Sequence, residues 1–346
     1  ARVKVFALKI LSFFSQFSTF PFDELINSSC FSYLFDTFKQ SNSEFILSPI
    51  LNILTYLLKT HPECRDSLIE EEILNAVSEK LISPKIPAFL ETILTITPSL
   101  PPEGISQINF LYECLLKKYL QINYNNRFEV NLIQNTIYSI IHLLKLQFSP
   151  FDFSFVMNYI DPLLDSSERK IVLLTVRMIG FIPFPTIQYL EKCSSKVISF
   201  VDLEIIHTLL KVFIRKHDEW ENSEDIVIET CLIIVNQDNS ISEPSFNDKL
   251  LCLKVLLLYY HFNQYDKRVL DLLIEFINFS DISMECIQKL IMMFETADFD
   301  GDEKAEFIST IESSIDEFQT ALEEDNDEDF TELISYFLQE VEQEAK

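Results

Sequence analysis

Residues 50–84 read ILNILTYLLKTHPECRDSLIEEEILNAVSEKLISP. Ile50, Leu51, Ile53, Leu54, Leu57 and Leu58 repeat at three- and four-residue spacing, which places them on one face of a helix. The run stops at Thr60-His61-Pro62-Glu63, because proline has no amide proton to continue the ladder. A short helix and then a longer one through ILNAVSEKL follow. The same pattern occurs 43 positions earlier. There Asp23, Leu25, Ile26, Phe31, Leu34 and Phe38 correspond to Asp66, Leu68, Ile69, Leu74, Val77 and Leu81. Further along, Leu132, Ile133, Ile137, Ile140, Ile141 and Leu144 make another helical stripe, as do Leu250, Leu251, Leu253, Leu256, Leu257 and Tyr260. No series of short alternating strands occurs, so the fold class is all-α. Long helices are expected to end near Lys59, Ile96, Leu146, Phe181, Lys216, His261 and Glu295. The mean step is about 39 residues, within the range of two- and three-helix repeats. Pro62, Pro98, Pro150, Pro183 and Pro244 lie at or near these breaks.

The chain resembles the armadillo repeat family, most clearly over Ile50–Pro84 and more loosely over Ala7–Gln40. Beyond Pro84 the units are more similar to two-helix HEAT pairs, for example Phe155–Asp165 followed by Ser167–Ile182. The resemblance covers residues 1–296, about seven degenerate units. Where the family usually places Gly before its second helix, Glu72 or Ser29 stands. It implies a right-handed α-α superhelix. In such a stack each repeat hides the apolar stripe of its neighbour, and a concave wall is left for binding.

Composition narrows the function. The 346 residues hold 27 Lys plus Arg against 54 Asp plus Glu, a net charge of −27, with only 3 Gly. So few glycines argue against folds built on Gly-rich phosphate loops. Basic pairs are scattered through the sequence (Lys117-Lys118, Arg169-Lys170, Arg215-Lys216, Lys267-Arg268), which disfavours direct binding of nucleic acid or an anionic membrane. The charge either serves solubility alone or points to a basic protein partner. Seven cysteines with no CxxC spacing read as buried thiols of a reducing compartment, hence a cytoplasmic or nuclear location. Val3–Phe20 contains Lys4 and Lys9 and no small-residue cleavage site, and reads as neither signal peptide nor membrane span.

Residues 298–346 hold 18 acids and 2 bases. Two apolar stripes, Phe307 to Leu322 and Phe330 to Val341, flank the acidic run 323–329 and read as two amphipathic helices. The segment is either a polar-faced cap on the last repeat or an acidic arm that binds a basic partner.

No chemistry stands out. Asp298, Asp300 and Asp302 match the first calcium-loop ligands, but Glu303 and Ser309 replace the turn Gly and the bidentate Glu. The five histidines form no metal-binding spacing, and His217-Asp218-Glu219 beside Trp220 reads as a polar helix end. No catalytic motif, metal site or cofactor is indicated.

In armadillo proteins that carry nuclear import signals, the third helix presents a Trp and, four residues on, an Asn. The corresponding pairs here are Lys9 and Phe13, Asn52 and Tyr56, Tyr138 and His142, Arg177 and Phe181, and Lys254 and Leu258. The ladder for a lysine-rich peptide is therefore absent. Asn52, Tyr56, Tyr138 and His142 remain the candidate partner-binding residues, since Tyr and Asn suit polar–aromatic recognition. The expected function is a non-catalytic interaction scaffold that binds a protein or extended peptide along the concave face. The alternative is a regulatory or assembly subunit, including a nuclear-transport-like one, whose acidic C-terminal segment engages a basic partner.

Overall fold

The computed structural model describes residues 2–70, 73–96, 100–121, 126–183, 189, 192–194, 203–216, 224–235, 245–324 and 327–345. Among them every regular element is a helix. Glu72, Pro98, Pro244 and the His217–Trp220 stretch lie outside the described residues.

The chain divides into two compact units, Ala1–Phe184 and Pro185–Lys346. The first contains α1 (Arg2–Phe14), α2 (Phe22–Ile26), α3 (Ser29–Gln40), α4 (Glu44–Thr60), α5 (Cys64–Glu70), α6 (Ile73–Ser78), α7 (Ile86–Thr95), α8 (Pro102–Lys117), α9 (Arg127–Lys145), α10 (Met157–Leu164) and α11 (Arg169–Ile179). The second contains α12 (Leu203–Arg215), α13 (Glu224–Val235), α14 (Phe246–Tyr259), α15 (Lys267–Glu275), α16 (Ser283–Thr296), α17 (Gly301–Ser313), α18 (Ile315–Glu324) and α19 (Glu328–Glu344). The long helices end at Thr60, Thr95, Lys145, Ile179, Arg215, Tyr259 and Thr296, each within two residues of the break read from the sequence.

In the first unit α1, α4, α7, α9 and α11 form a row, each packed against the next. The remaining helices lie behind it: α3 and α5 on α4, α8 on α7 and α9, and α10 on α11. Periodicity explains the arrangement. In α9, Leu132, Ile133, Ile137, Ile140 and Leu144 are buried, while Phe128, Tyr138, His142 and Lys145 are exposed. Tyr112 of α8 fastens the layers. Its hydroxyl donates to the Pro87 carbonyl at 3.1 Å and shares a 2.5 Å hydrogen bond with Ser139 Oγ. Helix α4 begins six residues before Ile50 and runs through Pro49. The proline forfeits the bond to the carbonyl four residues back, and its buried ring compensates by packing.

Capping fixes the helix starts. Asn126 accepts from the Phe128 amide, Ser28 from the Cys30 amide and Asp266 from the Arg268 amide. At the end of α9, Phe148 N–H donates to the Leu143 carbonyl and Gln147 N–H to the Leu144 carbonyl, a Schellman motif. Its left-handed position is held by Gln147, at φ 49°, where glycine is usual. Gln147→Gly is therefore expected to raise unfolding stability by about 1 kcal/mol in denaturant titration, and Gln147→Val to lower it.

In the second unit α12, α13 and α15 pack on α14, α15 on α16, and α16 on α19. Residues 298–346 differ from the two-helix expectation. The first stripe is broken at Ser314 into α17 and α18, which leaves Ile315 exposed and turns Phe318 and Ala321 inward. The break lets both short helices meet α19, which a straight helix of that length would overshoot. Phe307, Phe318, Phe330 and Phe337 are fully buried, and Phe294 of α16 stacks on Phe307 with ring centroids 5.7 Å apart. Cys193, Cys231, Cys252 and Cys286 are buried, as expected, whereas Cys30 is exposed and Cys64 and Cys114 are half-buried.

Candidate functional site

The outer face of the row is the surface on which the sequence-derived residues fall. Along α4, Phe45, Ser48, Asn52, Tyr56 and Lys59 are the positions left at least partly exposed on one side. Their spacing of three and four follows the helix turn. Along α9 the same side shows Phe128, Tyr138, His142 and Lys145. The exposed parts are aromatic and polar, not aliphatic.

Neighbouring helices are linked across this face. Asn52 Nδ2 donates to Ser12 Oγ of α1 at 3.2 Å, so part of its amide is engaged within the row. His142 Nδ1 lies 2.8 Å from Glu91 Oε1 of α7, between the two helices that bear the candidate residues. Phe45 of α4 meets Phe128 of α9 edge-to-face, with centroids 5.7 Å apart and the rings 54% and 42% exposed. Tyr138, 42% exposed, lies under the Lys170 ammonium at 5.7 Å. Tyr56 is half-buried beneath Lys59 at 5.5 Å. Asn52 and Tyr56 thus share α4, Tyr138 and His142 share α9, and α7 separates the pairs.

Sequence reasoning missed Phe45, Phe128, Glu91, Lys145 and Lys170. The Trp–Asn template looked only at positions four apart near helix centres. The stripe of non-core positions, extended to the ends of α4 and α9, contains Phe45, Phe128 and Lys145.

Beside Phe128 a cleft of about 390 Å³ is lined by Asn42, Glu44, Lys118, Asn126 and Glu129. Glu44 accepts from Ser83 Oγ at 3.3 Å through Oε1, while Oε2 is buried with no hydrogen-bond partner. Burial raises the Glu44 carboxyl above its usual range, against the lowering effect of Ser48, Ser83 and Lys85. Burial lowers the Lys118 ammonium, which donates to the Leu81 carbonyl, while Glu129 acts in the opposite sense. A carboxyl whose pKa rises on folding holds its proton more tightly in the folded chain. Its ionisation therefore opposes folding as pH rises through and above 4.5. Glu44→Gln is expected to raise the melting temperature at pH 7, with the gain vanishing below about pH 4, in calorimetry across that range.

Elsewhere, residues with chemical potential are occupied structurally. Asp248 of α14 accepts from Ser245 Oγ at 2.5 Å and sits 3.3 Å from His207 Nδ1. The carboxylate stands between the serine and the imidazole, so the histidine is not placed to take the serine proton as it is in a hydrolytic triad. Asp300 caps α17 by accepting from the Asp302 and Glu303 amides, and Glu303 accepts from the Asp300 amide in return. These carboxylates of the calcium-like stretch thus serve as a capping box. Among the described residues no group of three His, Cys, Asp or Glu is placed to hold a metal ion, and no helix is long and apolar enough to cross a membrane.

No protein-family model matches the chain, and no curated protein matches it.

Proposed function

We propose that the chain is a non-catalytic interaction scaffold, built from armadillo/HEAT-type superhelical repeats, that binds a protein or extended peptide along the outer face of the row α1–α4–α7–α9–α11. One observation carries this reading. Helices α4 and α9 of the row present part-exposed aromatic and amide side chains on one side, while most of their aliphatic residues are consumed in the core. Such a surface supplies rigid aromatic anchors at helix spacing, the kind of contact that dominates protein recognition. Asn52, Tyr56, Tyr138 and His142 belong to it, with Phe45 and Phe128 added. The alternative of an acidic C-terminal arm is less well supported, because the apolar face of α19 is already used against α16.

A photo-crosslinking amino acid placed at 56 or 138 tests the proposal against the same group at Ser32, exposed on α3. The expected result is one partner, identified by mass spectrometry, captured at 56 and 138 and not at 32, and its loss in Tyr138→Ala. Equal capture at all three positions would refute the assignment.

A further inference from the structure

Building on the scaffold reading, we infer that this face takes an acidic, aromatic-containing segment of a partner protein, the reverse of what the net charge of the chain invites. The reason lies in how folding sorts the charges. The first unit holds 15 Lys plus Arg and 18 Asp plus Glu, and the remaining 12 and 36 fall in the second. Within the first unit, the row α1, α4, α7, α9 and α11 holds nine basic and three acidic side chains. Helices α2, α3, α5, α6, α8 and α10 hold three basic and eight acidic ones. The row is therefore a basic layer backed by an acidic one.

The three acids of the row are engaged. Glu91 pairs with His142, Glu129 accepts from Asn126 Nδ2 at 2.9 Å, and Glu44 is half-buried against Ser83. The lysines are not neutralised. Lys9 lies 5.7 Å over Phe45, Lys59 over Tyr56, Lys170 over Tyr138, and Lys145 5.0 Å over Phe181. Among the described residues none of these four ammonium groups is in an ion pair. Each cation is held beside a ring at small energetic cost, which leaves its other hydrogens for a ligand carboxylate. A segment that alternates acidic with aromatic or aliphatic residues satisfies both elements at once. The lysines are singly spaced, and a long polyanion would feel the full −27 of the chain, so a nucleic acid is the poorer fit.

The test uses the full chain and a fluorescent synthetic peptide alternating Glu and Asp with Phe and Leu. Comparison ligands are the same peptide with Gln and Asn for the acids, its Lys counterpart, and a single-stranded oligonucleotide. Anisotropy is expected to show saturable binding of the acidic peptide alone, weakened about tenfold or more on raising salt from 0.05 to 0.5 M. The triple variant K59E/K145E/K170E is expected to lose at least about tenfold in affinity, while K39E/K117E, on α3 and α8, retains it. Circular dichroism melting checks that both variants fold. The inference is overturned by four outcomes: equal binding of the neutral peptide, tighter binding of the oligonucleotide, equal loss in both variants, or no acidic-peptide binding at about 1 mM. A salt-sensitive dimer in sedimentation would instead assign the face to a second copy. If crosslinks at 56 and 138 persist in any of these cases, the scaffold reading stands and only the acidic partner falls.

Discussion

Phe337→Ala is expected to cost about 3–5 kcal/mol of unfolding stability in the second unit, the usual price of emptying a fully buried aromatic site. Phe337 is buried at the centre of an aromatic cluster. Its ring centroid lies 5.9 Å from Phe294, 6.4 Å from Phe307 and 6.0 Å from Phe318. Those residues come from α16, α17 and α18, so a single truncation loosens the contacts that gather all three around α19. Polar links at the rim, Lys304 to Glu344 at 2.8 Å and Tyr336 to Glu295 at 3.2 Å, are exposed and too weak to compensate. Deleting residues 298–346 should act more severely, baring Phe294 and leaving the second unit prone to aggregate. Guanidinium unfolding of the point variant and light scattering of the deletion provide the readouts. A mobile acidic arm predicts unchanged melting and no aggregation in both, and that result would restore it.

The second large effect is expected at Tyr112, which is fully buried in the first unit. Tyr112→Ala leaves a cavity where the fully buried ring sat, and a loss of about 3–5 kcal/mol is expected. Tyr112→Phe removes only the hydroxyl and should cost about 1 kcal/mol, because Ser139 Oγ, 3.3 Å from the Pro87 carbonyl, can still donate to it. The ratio of the two losses separates packing from hydrogen bonding. Burial also pushes the Tyr112 phenol well above its usual range. A proton held more tightly in the folded chain stabilises below the unfolded pKa of 10.0, and that contribution disappears as pH rises beyond it. Alkaline unfolding should therefore be less steep in Tyr112→Phe than in the parent chain, when followed by circular dichroism from pH 9 upward.

Much of the fold was legible in the sequence. The ends of α4, α7, α9 and α11 follow from apolar spacing and from Pro62, Pro150 and Pro183, signals contained within a few residues. The split at Ser314 was not legible, because Ile315 continues the period of Phe307 and Ile311 without interruption. Only the need for α17 and α18 to reach the same α19 turns Ile315 outward. The candidate residues Asn52, Tyr56, Tyr138 and His142 fall on one side of the row, yet Glu91, which joins α7 to His142, lies in a helix the template did not include.

By itself the sequence determined the all-helical class and where the long helices stop, since a helix is bonded within four residues of itself. It also determined that 298–346 bears most of the net negative charge. Tertiary structure alone decided which charges share a face. Lys117-Lys118 and Arg169-Lys170 look alike in one dimension, but the first pair lies at the end of α8 behind the row and the second at the start of α11 within it. The order in which helices pack, and the rotation of each about its axis, come from contacts between residues far apart in the chain, and these sort scattered lysines into a basic layer.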